Sequence, residues 1–196
     1  LGYAHSMGIV HRDIKPENIM LSGGHALLAD FGIARAVTDA GTDQRLTQTG
    51  TAVGTPLYMS PEQAVGDPAG PTSDLYSLGA TLYELLTLRP PFEGLDRHEL
   101  YRQVETHTPP APRSIVPSLP VTLDTIVLKA LRKEPEERYA TATELADDLR
   151  RYLERRPILA HPPRWGERFR GWTRRHPAAS ISGAIALGCL AIASIV

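Results

Sequence analysis

The segment His11-Arg12-Asp13-Ile14-Lys15-Pro16-Glu17-Asn18, with Asp30-Phe31-Gly32 a short way downstream, constrains this chain more than any other feature. It crowds a carboxylate, an ammonium and an amide carbonyl into one turn, which suits chemistry on a phosphorylated, metal-bound ligand. Asp13 can accept a proton from a hydroxyl. Lys15, two residues on, points to the same side of an extended loop and can neutralise a phosphoryl oxygen. Asn18 offers a carbonyl oxygen, a hard ligand suited to Mg²⁺, and Asp30 supplies the anionic oxygen such a site still needs.

Short apolar runs at 19–21 and 26–29 flank Ser22-Gly23-Gly24, the signature of a two-stranded hairpin. That hairpin would set Asn18 at the start of one strand and Asp30 at the end of the other, bringing both candidate ligands to one edge. Upstream, residues 1–7 read as the tail of a helix ended by Gly8, which can take the left-handed cap conformation.

These motifs, in this order and with Ser60-Pro61-Glu62 beyond, resemble the eukaryotic-type protein kinases, whose catalytic loop reads H-R-D-L-x-x-x-N and is followed by D-F-G. Ile14 stands where the family pattern has Leu, an apolar swap of similar volume. The resemblance is to the bacterial, receptor-like serine/threonine kinases. It implies a mainly α fold over residues 1–156, the C-terminal lobe of a kinase, helical with a small β-hairpin carrying the catalytic and metal-binding loops. It implies transfer of the γ-phosphoryl group of ATP, with Mg²⁺, to serine or threonine hydroxyls of protein substrates. Asp13 would then orient the hydroxyl and accept its proton, and Lys15 would stabilise charge on the transferred group. Asn18 and Asp30 would hold the metal ions. By the same resemblance Asp74 braces the His-Arg-Asp backbone, Glu62 is buried against Arg138, Phe31 packs into the lobe to set Asp30, and His11 is a packing residue. Thr55, in Gly54-Thr55-Pro56, would position the substrate; with Lys15 it is the pairing typical of serine/threonine kinases.

The sequence has no G-x-G-x-x-G and no lysine before Lys15, so the parts that would cover the phosphates of ATP are not among these residues. It opens at Leu1-Gly2-Tyr3-Ala4-His5 without a methionine, as if cut within a helix. The expectation is therefore a kinase lobe without its N-terminal partner, poorly competent alone. A pseudokinase or membrane-anchored scaffold, binding partners through the lobe, is the competing expectation. It is disfavoured because a degenerate lobe usually loses Asp13, Asn18 or Asp30, and all three are here.

Residues 32–60 turn to Thr, Gly, Asp and Gln with little apolar periodicity, and a loop this long inside a compact domain is functional or disordered. As the activation segment of a kinase it places Thr47 and Thr49 as regulatory phosphosites, with Thr51 a weaker candidate. A phosphothreonine carries about −1.5 to −2 charges and pairs with arginine, so it could order the loop against Arg12. Beyond it, Leu75, Leu78, Gly79, Leu82 and Leu86 follow a helical stripe with Asp74 in the first turn. A weaker helix is expected over 95–106, a proline-rich surface linker over 109–120, and a second clean stripe at Leu123, Ile126, Val127, Ala130 and Leu131. Thr141-Ala142-Thr143-Glu144 is a capping box that opens a helix with Leu145, Leu149, Tyr152 and Leu153 inward.

The tail is different material. A basic linker is expected over 157–177, where Arg164, Arg168, Arg170, Arg174 and Arg175 face one acid, Glu167, with Trp165, Phe169 and Trp172 interleaved. Residues 178–196 carry no charge and, as a helix, would cover about 28 Å, near the ~30 Å of a bilayer's hydrocarbon. Flanking arginines and tryptophans fit the positive-inside rule and the aromatic belt, so a single-pass transmembrane helix with the kinase side cytoplasmic is expected. A buried helix of a further domain is the alternative. With a net charge of −1, no nucleic acid is expected as a partner, and the arginine cluster is not read as a nucleic-acid patch. Self-association, one copy phosphorylating another, also fits the resemblance. Cys189 is the only cysteine, so no disulfide framework is expected.

Overall fold

A computed structural model describes residues 1–31, 56–94 and 96–162. Thr47, Thr49, Thr51 and Thr55, most of the basic linker and the apolar segment 178–196 lie outside the described residues. The described elements run α1 (Gly2–Ser6), β1 (Ile19–Ser22), β2 (His25–Leu28), α2 (Pro61–Val65), α3 (Pro71–Thr87), α4 (Arg97–Thr106), α5 (Pro112–Ile115), α6 (Val121–Ala130) and α7 (Ala142–Leu153). They are mainly helical, with one two-stranded antiparallel sheet.

Helix α3 is the axis of the packing. Its residues Leu75, Tyr76, Ala80 and Tyr83 are buried together with Asp74, Ser73, Ser77, Thr81 and Thr87. A helix can hide that many hydroxyls only if each finds an acceptor. Ser77, Thr81 and Thr87 donate to the carbonyls of Ser73, Ser77 and Tyr83, one turn back. Tyr76, Ala80 and Tyr83 pack against Val127 and Leu131, while Leu75 packs against Ile126, Ala130, Tyr139 and Leu145. Gly79 lets α3 and α6 approach closely, since a Cβ there would lie 2.7 Å from the Ala130 Cβ. A third apolar cluster, Phe92, Leu100 and Val104, seats α4.

The helix caps follow the sequence. The Thr141 side chain accepts from the Glu144 amide, while the Glu144 carboxylate reaches back to the amide of Ala140, one residue before the cap. The proline-rich run is less plain than a linker, since it contains α5 and buries Pro112. One expectation is overturned: Leu153 is 77% exposed. At ~100° per residue it lies about 80° from Leu145 around α7, whereas Tyr152 lies within about 20° of the buried stripe.

The packed unit covers Leu1–His161. Its last turn is held by Asp148, whose buried carboxylate accepts from the amides of Leu159 (2.6 Å) and Ala160 (2.9 Å) and from the Tyr139 hydroxyl (3.0 Å). The chain beyond Arg156 is thus part of the lobe up to that point. No helix among the described residues is long and apolar enough to cross a membrane.

Candidate active site

Chain reversal at two glycines makes the hairpin. Gly23 and Gly24 have φ of 57° and 80°, the left-handed pair a tight two-residue turn requires. The register pairs Ile19 with Leu28 and Ser22 with His25. Just outside it, the Ala29 amide donates to the Asn18 carbonyl at 2.8 Å. The Ala29 carbonyl accepts from the His11 ring Nε2 at 2.8 Å. Both polar groups of the residue before Asp30 are therefore clamped by the segment that carries Asp13.

His11 is fully buried, and its Nδ1 accepts from the Asp13 amide at 3.3 Å. A nitrogen that accepts carries a lone pair, so the ring proton sits on Nε2. The Phe31 ring lies 4.7 Å from the His11 ring, tilted by 51°. His11 is a packing and orienting residue, with both ring nitrogens engaged.

Around Asp13 the contacts are direct. Lys15 Nζ lies 2.9 Å from its Oδ2. Asn18 Nδ2 donates to the Asp13 carbonyl at 2.7 Å and to its Oδ2 at 3.3 Å. Because the amide nitrogen is engaged there, the Asn18 oxygen is the atom left for a cation. Asp30 is exposed, with a φ of 55°. Among the described residues no group of three or more His, Cys, Asp or Glu could hold a metal by itself. A hard cation bound between Asn18 and Asp30 would take those oxygens and complete its shell from phosphate and water, which is how Mg²⁺ is usually held.

The loop is braced from the core. Asp74, 1% exposed in the first turn of α3, accepts from the amides of His11 and Arg12 and from His5 Nε2, each at 2.8 Å. Arg12 needs a brace because its φ is 68°, a left-handed conformation that costs a non-glycine residue about 1–2 kcal/mol.

A second ion pair ties α2 to the far end of the lobe. Arg138 donates two parallel bonds to the Glu62 carboxylate, each at 2.8 Å, and further bonds to the carbonyls of Thr72, Arg132 and Lys133. Ser73 donates to the same carboxylate at 2.6 Å. Burial pushes the Glu62 carboxyl up, but Arg138 and the Ser73 hydroxyl outweigh it and hold it below its ordinary value. Tyr58 donates a very short bond to Glu84; burial and that carboxylate raise its phenol.

The structure thus joins Asp13, Lys15 and Asn18 by direct bonds, links Asp30 to them through Ala29, bonds Asp74 to the loop backbone, and ties the Glu62–Arg138 pair to Ser73 beside Asp74. Three participants were not singled out in the sequence. His5 carried no signal beyond a polar residue in a short helix. Ser73 is hidden in the α3 pattern. Gln63 was legible as the third residue after Ser60, the spacing of a capping box.

A family model described as a protein kinase domain matches residues 1–149. Serine/threonine-protein kinase PknB of Mycobacterium tuberculosis is 48% identical over 150 residues, 76% of this chain and 24% of that protein. PknB of Mycobacterium leprae is 46% identical over 158 residues, 80% of this chain and 25% of its own length. A Streptomyces coelicolor protein named as a probable serine/threonine-protein kinase is 47% identical over 161 residues, 82% and 24%. The chain spans about a quarter of the length of the curated relatives it matches.

Proposed function

Because this chain belongs to the protein kinase family, we propose that the protein carrying it transfers the γ-phosphoryl group of ATP to serine or threonine hydroxyls of other proteins. The observation that carries this is the Asp13 carboxylate, held at 2.9 Å by Lys15 and bonded by Asn18 on a loop braced by Asp74. In this role Asp13 orients the hydroxyl and takes its proton. Lys15, already at hydrogen-bond distance from Asp13, stabilises charge on the group in transit. Asn18 and Asp30 hold Mg²⁺, which neutralises phosphate charge when bound. Positioning and charge neutralisation, more than covalent chemistry, then supply the acceleration.

Thr55 positions the substrate, and Thr47 or Thr49 is the regulatory phosphosite whose charge pairs with Arg12. Residues 157–177 lead, in this proposal, to a single membrane span at 178–196 with the kinase side cytoplasmic; the uncharged run and the arginines and tryptophans before it support that. Two copies would meet to phosphorylate each other in trans. The 196 residues by themselves should transfer phosphate poorly, because no glycine-rich phosphate loop is among them.

Incorporation of labelled phosphate by the full-length protein and by its Asp13→Asn variant tests the central step. We expect the variant to keep its melting temperature and lose activity by about 100-fold or more, the range a positioned base supplies. Wild-type levels of incorporation by Asp13→Asn would refute the assignment.

A further inference from the structure

Arg12 occupies a strained backbone position directly before Asp13, and two side chains from different helices hold its two polar backbone groups. Asp74 on α3 accepts its amide at 2.8 Å. Gln63 on α2 donates from Nε2 to its carbonyl at 3.0 Å. The orientation of the Gln63 amide is fixed by its other end. Its Oε1 accepts from the Ser60 amide at 3.2 Å and from the Ser60 hydroxyl at 3.1 Å, so the oxygen faces Ser60 and the nitrogen faces Arg12. Flipping the amide would set an oxygen against a carbonyl and an NH₂ against an amide N–H.

Gln63 therefore does two separable things. It completes the cap of α2, together with the bond from its own amide to Ser60 Oγ. It also reaches 51 positions back along the chain to hold the residue that aims Asp13. A left-handed non-glycine persists only where its surroundings over-determine it. Here one determinant, the Gln63 side chain, sits on α2 beside its cap residue Ser60. We propose that Gln63 is a positioning residue for catalysis: it couples the Ser60 cap of α2 to the placement of Asp13 through the Arg12 carbonyl. The proposal rests on the kinase assignment above, and its failure is distinguishable from a failure of that assignment.

Gln63→Glu separates the two roles. Glutamate at the third helical position still accepts from the Ser60 amide and favours the helix start, so the cap survives. It has no N–H to give the Arg12 carbonyl. In the full-length protein we expect kcat to fall about tenfold, inside the ~10²-fold that a misplacement of about 1 Å can cost. KM for ATP and the melting temperature should stay at wild-type values. Amide hydrogen exchange should quicken at Arg12 and Asp13 while Ala64, bonded to the Ser60 carbonyl, keeps its protection. Gln63→Met, which removes the bond to Arg12 and both side-chain bonds with Ser60, should lower kcat and melting temperature together. Unchanged kcat and unchanged exchange at Arg12 and Asp13 in Gln63→Glu would overturn the proposal, as would a fall in kcat matched by a fall in melting temperature. A wild-type protein that incorporates no phosphate would instead sink the kinase assignment, and the exchange data alone would then decide whether Gln63 holds the loop.

Discussion

Helix α3 and the β1–β2 hairpin divide the work of the lobe unequally. The helix is buried around most of its circumference, with its hydroxyls satisfied by its own carbonyls. The hairpin shows Leu21 at 83% and Met20 at 53% exposure, and Asp30 stands exposed beyond its second strand. A lone two-stranded hairpin is marginal in water. The residues assigned to chemistry flank that hairpin, on a loop whose His11, Ile14 and Asn18 are buried and whose backbone is bonded by Asp74 and Gln63 from two helices. Rigid scaffold and functional edge are distinct parts, joined by side chain to backbone contacts.

The largest effect is expected where Glu62 meets Arg138. Arg138→Met leaves the Glu62 carboxylate half-buried without its guanidinium and should cost about 3–5 kcal/mol in denaturant unfolding. The same pair sets an acid limit. Glu62 is held below its ordinary value of 4.5 in the folded state, so below that pH the unfolded chain binds more protons. The contribution of Glu62 is present above about pH 4.5 and lost as pH falls through the lower folded value; Arg138→Met should flatten this acid slope in pH-dependent denaturation.

Asp74→Ala attacks the joint between the two regions. It orphans the amides of His11 and Arg12 and should cost about 2–6 kcal/mol, at roughly 1–3 per orphaned donor. Exchange at those amides should quicken far more than exchange within α6, and phosphate incorporation should fall further than stability alone explains. Leu88→Gly should do the opposite of harm. Leu88 ends α3 with φ at 57° and its side chain 88% exposed, so glycine there should stabilise by about 1 kcal/mol in thermal unfolding. Smallest of all, Leu21→Ser on the hairpin should shift stability by less than about 0.5 kcal/mol, because the side chain is already in water. A large loss there would mean that the hairpin is not the weakly packed region.

How much of this was legible follows the same division. The α3 and α6 stripes, the Thr141 cap, the glycine turn and the order of the catalytic motifs all rest on local periodicity or fixed offsets, and the chain shows them directly. Leu153 misled because it sits one residue beyond Tyr152 on the same turn, close enough to a helical stripe to look buried. Gln63 and the Asp148 clasp on residues 159–160 depend on backbone groups that are distant in sequence or irregular in path. No residue pattern announces which carbonyl or amide will be nearby. Burial of Glu62 against Arg138 was reachable only through family resemblance, since 76 positions separate the two.

Convergence of Asn18 and Asp30 on one cation, beside Asp13, is the claim on which the rest depends. The Asn18 side-chain amide is identified in the full-length protein as the signal that disappears in an Asn18→Gln variant. Manganese, a paramagnetic substitute for magnesium, can be added with ATP while that amide and the backbone signals of Ala29, Asp30 and Phe31 are followed by NMR. Selective broadening of this set, abolished by Asp30→Asn, is the predicted result. Sharp signals at Asn18 and Asp30 with manganese·ATP demonstrably bound elsewhere would contradict it.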